Sequence, residues 1–152
     1  MSVVDQETRN EAVVRRAFEE MDKHNVSVVD ELFAADLVDH PLWYQPSMPP
    51  SMAGKPFIEA MKEFLGRPDP DYENVHTNID QLISAGDKVV TVWTTIGTRN
   101  GKQVSRTGIE IDRLVDGKVA ETWWQWDRLG LFQQLGVVPA TRELVEQAGL
   151  KM

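Results

Sequence analysis

A change of hydrophobic period near residue 74 restricts the fold more than any other feature of this chain. From that point on, apolar and polar residues alternate, which is the pattern of half-buried β-strands. We place four strands near residues 74–84, 88–98, 102–115 and 118–126. Asn100-Gly101 and Asp116-Gly117 separate the last three strands, and both dipeptides are typical of tight hairpin turns. The second half of the chain is therefore expected to form an antiparallel meander.

Helical patterns fill the first half of the chain. Thr8-Arg9-Asn10-Glu11 matches a capping box, and an apolar stripe follows it from Val14 to Met21. Ser27 is expected to cap a short second helix, residues 37–40 to be extended, and residues 57–65 to form a third helix.

Two short helices are expected after the meander, one capped by Asp127 and one over about residues 140–149. Helices followed by an antiparallel meander predict one α+β domain over residues 1–152, with its core at about 8–136. We expect a curved, mostly antiparallel sheet of four to six strands, with helices packed on one face.

Composition limits the partners. The chain has 16 Lys and Arg against 24 Asp and Glu, a net charge of −8, which argues against nucleic acid or an anionic membrane. It has no cysteine and only three scattered histidines, so neither a disulfide nor a metal site is expected. Without a secretory leader or an apolar run of about 20 residues, we expect a cytoplasmic protein.

The alternation divides the meander into two faces. The mixed face carries polar and aromatic residues: Thr91, Trp93, Thr95, Arg106, Gly108, Glu110, Thr122, Trp124 and Trp126. The β-branched face carries Val90, Val92, Ile96, Ile109, Ile111, Val119, Glu121, Trp123 and Gln125. This assignment takes Asp116-Gly117 as part of a three-residue turn with a bulge, which sets Glu110 opposite Thr122 and Gly108 opposite Trp124. A two-residue turn would shift the pairing by one residue.

Both faces are partly apolar, although helices can cover only one of them. We therefore expect the mixed face to line a pocket and the β-branched face to meet a second copy of the chain in a homodimer. The alternative exchanges the two roles, so that the β-branched face forms the core.

Four stretches of the chain resemble the SnoaL-like polyketide cyclases of the nuclear transport factor 2-like superfamily. They are VVRRAFEEMDKHNVSVVDELFAADLVDHP, AGDKVVTVWTTIGTRNG, GIEIDRLVDGKVAETW and DRLGLFQQLG. They run from about residue 10 to 136, and the closing D-x-x-G-L-x-x-Q-L-G is the most specific. The resemblance implies a cone-shaped domain with an apolar pocket for a small polyketide-like or aromatic metabolite. It also implies ring closure by aldol condensation, with an acidic side chain as general acid/base and no cofactor.

The resemblance also shows where this chain departs from the family. It places the catalytic acid of the cyclases at Trp124, three residues before Asp127, so that acid is missing here. A histidine of the cyclases matches Glu110, and a polar position matches Asp39. Glu110 is therefore the leading acid/base candidate, because an apolar wall would raise its pKa. The alternative is a salt bridge to Arg106, which could itself hold a substrate carboxylate or enolate.

The other candidates each have a structural alternative. Asp39-His40 is either a proton-transfer pair or a turn before Pro41, and Asp127 is either a binding residue or only a helix cap. The loop at residues 41–56 is either a lid over the pocket or part of the core. The remaining predicted substrate contacts are aromatic: Trp93, Trp124, Trp126, Trp43 and Tyr44.

Three functions follow from these residues. The leading hypothesis is a cofactor-free cyclase or isomerase with Glu110 as base, assisted by Asp39-His40. The loss of the family acid at Trp124 favours a second hypothesis, a non-catalytic ligand-binding or accessory protein. A third is an epoxide-hydrolase-like enzyme, which the same substitution opposes.

Overall fold

The computed structural model describes residues 2–42, 56–67, 69 and 71–151. Its helices are α1 (Val3–Asp22), α2 (Val29–Leu32), α3 (Phe57–Leu65), α4 (Arg128–Gln134) and α5 (Thr141–Gln147), with a 3-10 turn at Val26–Val28. Its strands are β1 (Phe33–Pro41), β2 (Glu73–Ala85), β3 (Lys88–Arg99), β4 (Lys102–Val115) and β5 (Lys118–Trp126). The predicted α+β fold is confirmed. Trp43 and Tyr44, the predicted lid residues, lie outside the described residues.

Helix α1 begins six residues before the predicted start. The Ser2 hydroxyl accepts a hydrogen bond from the backbone N–H of Asp5 (3.1 Å), and the Asp5 carboxylate accepts one from the N–H of Ser2 (3.1 Å). This upstream capping box makes Thr8 an interior residue, whose hydroxyl donates to the carbonyl of Val4. Ser27 does not cap α2 either, because it lies inside the 3-10 turn and donates to the Asn25 side chain.

The five strands form one sheet in the order β1-β5-β4-β3-β2. Strand β1 runs parallel to β5, and all other neighbours are antiparallel. Both predicted hairpins form, and the turn residues Asn100, Gly101, Asp116 and Gly117 all have positive φ angles between 51° and 77°. Such angles are typical of type I′ turns, which match the twist of the flanking strands. The sequence thus predicts the meander correctly.

The register between β4 and β5 differs from the prediction. Val115 pairs with Lys118, so Asp116-Gly117 is a two-residue turn and the predicted three-residue turn is wrong. A bulge lies further along β5, at Ala120, between the pairs Leu114–Val119 and Arg113–Glu121. This extra residue restores the predicted faces beyond it but moves the partners by two positions. Glu110 therefore pairs with Trp124, and Gly108 with Trp126.

The helices cover the mixed face, so the alternative with exchanged faces is excluded. Side chains on this side of the sheet, including Val89 and Leu114, join the core formed with α1, α2 and α3. Val119 joins the same core at 1% exposure, and its predicted place on the β-branched face is wrong because the bulge reverses its direction. We call the helix-covered side the inner face and the other side the outer face. None of the described helices is long and apolar enough to cross a bilayer.

Candidate functional site

Strand β4 places two carboxyl groups side by side on the inner face. Glu110 and Asp112 are two residues apart, and side chains at this spacing point to the same side of a strand. Their side chains are close enough for each to shift the pKa of the other. Asp112 is only 4% exposed, whereas Glu110 retains some accessible surface. We call these two residues the carboxyl pair.

The surroundings of the carboxyl pair favour its protonated form. Burial, followed by the charge and the hydrogen bond of Asp112, raises the pKa of Glu110 well above its ordinary range. Burial also raises the pKa of Asp112 to about 6, although the hydrogen bonds from Glu110 and Thr122 act against this rise. Asp112 is therefore the first of the two groups to ionise, and its charge then favours the protonated form of Glu110. Two neighbouring carboxylates repel each other, so the pair is suited to hold a single proton.

Two polar atoms beside the carboxyl pair lack partners. Trp93 lies flat over Gly108, where an added Cβ would come within 2.2 Å of the indole ring. Its Nε1 is near enough to Glu110 to lower the pKa of that carboxyl slightly, but it does not reach hydrogen-bonding geometry. The Nε1 of Trp93 and the hydroxyl of Thr91 are both buried without a hydrogen-bond partner among the described residues. Buried polar groups are rarely left unpaired, and of these two residues only Trp93, at 7% exposure against 0% for Thr91, has surface that a polar ligand could contact.

Asp39 enters the same face from the edge strand β1. Its Oδ1 accepts a hydrogen bond of 2.5 Å from the Nε1 of Trp124. Burial raises the pKa of Asp39, while the hydrogen bond from Trp124 and the neighbouring His40 lower it. The charge of Asp39 in turn contributes to the raised pKa of Glu110. Trp124 is thus a donor to an acid, rather than a passive part of the pocket wall.

His40 lies on the opposite side of the sheet. Its ring stacks on Trp123 at a centroid distance of 4.9 Å and an interplanar angle of 8°. Its Nε2 lies 2.8 Å from Glu121, which also accepts a hydrogen bond from Arg113. Neighbouring residues on a strand point to opposite faces. The prediction that Asp39 and His40 act as one pair is therefore wrong, and the structure does not bring His40 to Glu110.

Arg106 and Trp126 occupy the inner face on the other side of Gly108. The Arg106 guanidinium lies 5.4 Å from the centre of the Trp126 ring, and Arg128 lies 5.0 Å from the same ring. Within the part of the chain that the structure describes, Arg106 forms no ion pair, so the alternative salt bridge with Glu110 does not form. Burial lowers the pKa of Arg106, although more distant acidic groups oppose this effect.

The closing family motif has a structural role. Asp127 caps α4 by accepting the backbone N–H of Gly130 at 2.7 Å, so the helix-cap alternative accounts for Asp127. An added Cβ at Gly130 would come within 2.1 Å of that carboxylate. Gln134 accepts the N–H of Ser105 and donates to its carbonyl, which fastens α4 to β4. These structural contacts account for the motif residues without a catalytic role.

Sequence analysis missed Asp112. The signal was present, because the mixed face had been assigned through Glu110 and an acid two residues further on must share that face. Among the described residues, no group of three or more His, Asp and Glu side chains is placed to hold a metal ion.

The curved five-stranded sheet with helices on one face defines the cone-shaped α+β domain of the nuclear transport factor 2-like superfamily. The chain matches the family model of the SnoaL-like polyketide cyclases over residues 12–135, and it belongs to that family. No curated protein sequence matches the chain.

Solved structures support this fold. A protein assigned as a polyketide cyclase from Bacillus cereus ATCC 10987 is 27% identical, with 86% of this chain and 83% of that one covered at a TM-score of 0.73. TsrD from Streptomyces laurentii is 22% identical, with 86% and 97% covered at 0.70. AclR from Streptomyces galilaeus, assigned as a hydroxylase, is 18% identical, with 94% and 90% covered at 0.70. The last two similarities concern the fold alone.

Proposed function

We propose that this protein is an enzyme that uses the carboxyl pair as a general acid/base, without a cofactor, to cyclise or isomerise a polyketide-like or aromatic metabolite. One observation carries the proposal. Glu110 and Asp112 lie side by side on the inner face and each shifts the pKa of the other, while the nearby Trp93 Nε1 and Thr91 hydroxyl have no hydrogen-bond partner among the described residues. A shared proton supplies an acid and a base in one place.

The chemistry of ring closure matches a pair with one proton. In an intramolecular aldol condensation, the carboxylate of the pair takes a proton from the carbon next to a ketone. The resulting enolate carbon attacks a second carbonyl, and the oxygen of that carbonyl receives the proton held by the pair. One C–C bond forms, one C=O becomes C–OH, and the pair again holds one proton. The N–H of Trp93 is suited to stabilise the negative oxygen.

The substitution at position 124 does not remove acid chemistry from this place. Glu110 is the direct cross-strand partner of Trp124, where the family resemblance places the acid of the cyclases. The Cβ atoms of such partners are about 4.5–5.5 Å apart. An acid on β4 can therefore serve the same part of the pocket as an acid on β5. This proximity supports an enzyme over a non-catalytic ligand-binding protein.

We also propose that the outer face meets a second copy of the chain. Several apolar side chains on this face are well exposed, among them Val38, Ile83 and Ile109 at 45–59%. Their partners in the sheet include Val90 and Val92, which extend the apolar surface. Exposed apolar surface of this kind is typical of an interface, and a symmetric dimer would cover it on both subunits at once.

Proton exchange tests the catalytic proposal without the natural substrate. We expect the protein to accelerate exchange of the α-protons of 1-tetralone, an uncharged aromatic ketone, in D2O as followed by NMR. Glu110→Gln should slow this exchange by a factor of about 10²–10⁴ while the Kd for 1-tetralone changes by less than about tenfold. Glu59→Gln, at an exposed position on α3, is the matched control and should keep the wild-type rate. Absence of acceleration by the wild type, or an unchanged rate in Glu110→Gln, overturns the proposal.

A further inference from the structure

We infer that Arg106 binds a carboxylate of the substrate, so that the proposed enzyme acts on an aromatic or polyketide-like acid. The inference rests on the proposed function in taking the inner face as the active site. It adds the chemical class of the substrate and names the group that recognises it.

The first observation is a half-buried cation without an ion pair among the described residues. Arg106 projects from β4 into the inner face, and none of the described carboxylates forms an ion pair or hydrogen bond with it. Burying a charge is costly unless a partner of opposite charge compensates for it. Asp69, Tyr72 and Asp22 attract the guanidinium from a distance, yet burial outweighs them and lowers its pKa. An anionic ligand would supply the missing partner.

The second observation is that Arg106 is held in place. Its guanidinium packs against the ring of Trp126 at 5.4 Å, which fixes its plane. The backbone of the preceding residue, Ser105, is held by two hydrogen bonds to Gln134, of 3.0 Å to its N–H and 2.8 Å to its carbonyl. A guanidinium that is ordered before binding loses little further freedom when a carboxylate arrives.

The third observation is space beside the guanidinium. A cavity of about 20 Å³ is lined by Arg106 together with Thr95, Ser105 and Leu131. This volume is sufficient for at least one water-sized polar group. Asp69 and Tyr72 form a shared wall between the cavity and an open groove of about 570 Å³ at the surface. A ligand oxygen therefore has room next to Arg106.

The position of Arg106 also fits the reaction. Arg106 and Glu110 lie on the same face of β4, four residues or about 13 Å apart. Trp93 covers Gly108 between them. A ligand with its carboxylate at Arg106 would extend past Trp93 toward the carboxyl pair. An acid of two or three carbons is too short to reach both groups, whereas a fused aromatic acid is long enough.

A comparison of a carboxylate with its neutral amide tests this inference. We expect 2-naphthoate to bind the wild type at least about tenfold more tightly than 2-naphthamide by isothermal titration calorimetry. Arg106→Met should abolish this preference by weakening only the binding of naphthoate. The matched control is Arg99→Met, because Arg99 also packs on an aromatic ring, Tyr72 at 5.7 Å, but is paired with Asp71 at 3.6 Å. This variant should keep the preference for the acid.

Three results would overturn the inference: no measurable binding of 2-naphthoate to the wild type, equal binding of acid and amide, or a preference that survives Arg106→Met. If Arg106→Met does not fold by circular dichroism, Arg106→Gln is read in the same way, and a preference that survives Arg106→Gln overturns the inference. The two proposals fail separately. 1-Tetralone has no carboxylate, so failure of the wild type to exchange its protons counts against the catalytic proposal alone, and equal binding of naphthoate and naphthamide counts against the role of Arg106 alone.

Discussion

The carboxyl pair should reduce the stability of the folded protein above pH 6, and replacing Asp112 should restore it. Asp112→Asn keeps the size of the side chain and leaves an oxygen that can accept the proton of Glu110. It removes the need to ionise a group that is only 4% exposed. We therefore expect this variant to be more stable than the wild type at pH 8.

The magnitude follows from the pKa of Asp112. This pKa is 3.8 in an unfolded chain and about 6 in the folded protein. Because the folded pKa is the higher one, ionising Asp112 costs more in the folded protein than in the unfolded chain. The protein therefore keeps its full stability below pH 3.8 and loses part of it as the pH rises through 6. The difference is 6 minus 3.8, which at ~1.4 kcal/mol per pH unit amounts to about 3 kcal/mol. The raised pKa of Glu110 extends this loss to higher pH.

Urea unfolding at pH 5, 6.5 and 8 measures this effect, at one protein concentration because a dimer would make stability depend on it. Asp112→Asn should gain about 1–3 kcal/mol over the wild type at pH 8, because burying the amide keeps part of the cost of burying the carboxylate. At pH 5, which lies between the two pKa values, the gain should be about half as large. The control is Asp36→Asn, which removes an exposed carboxylate from β1. Its difference from the wild type should not depend on pH.

Two results would refute this reasoning. The first is a wild-type protein whose free energy of unfolding is the same at pH 5 and pH 8. The second is an Asp112→Asn variant that loses stability at pH 8 as well. A gain at pH 8 accompanied by slower α-proton exchange would show instead that this acid is kept for its chemistry at the expense of stability.

Three further predictions concern the site and the outer face. The rate of 1-tetralone exchange should follow a bell-shaped pH profile, rising near pH 6 as the carboxyl pair loses its first proton and falling at higher pH as it loses the second. Trp124→Phe should lower the free energy of unfolding by about 1–3 kcal/mol, because the half-buried Asp39 loses a hydrogen-bond donor. Trp123→Phe keeps a ring against His40 and should lower it by less, as measured by urea unfolding. Ile109→Lys on the exposed outer face should yield a monomer in sedimentation, and a wild type that is already monomeric at micromolar concentration would contradict the proposed dimer.

The elements of this fold could be predicted because each depends on local sequence. The alternation of apolar and polar residues predicts the strands. Asn100-Gly101 and Asp116-Gly117 predict turns at the positions observed. The two faces of the meander also follow, because alternation is fixed along each strand. Glu110, Trp93 and Arg106 were therefore assigned to the correct side of the sheet from the sequence.

Other features depend on contacts that sequence patterns do not report. The bulge at Ala120 changes which residue pairs with Glu110 across the strands. Alanine at that position does not indicate a bulge. The start of α1 depends on competition between two capping sequences, and the upstream Ser2 with Asp5 provides the cap. The raised pKa of Asp112 depends on burial by several elements at once, which no single stretch encodes.

The observed pairing of β4 with β5 places Glu110 directly opposite Trp124, the position where the family resemblance places the catalytic acid. The resemblance to the family rests partly on the closing motif. In that motif Asp127 caps α4, Gly130 allows close contact with the Asp127 carboxylate, and Gln134 joins α4 to β4 by hydrogen bonds. They preserve the architecture and carry no information about the reaction. The proposed chemistry depends on a few inner-face positions, where Trp124 and Glu110 are direct partners. If an acid at either position can reach the same bound atom, tryptophan on β5 is compatible with the proposed acid/base catalysis from β4. The proposed acid on β4 differs in having a second carboxyl beside it, whose charge raises its pKa and favours its protonated form.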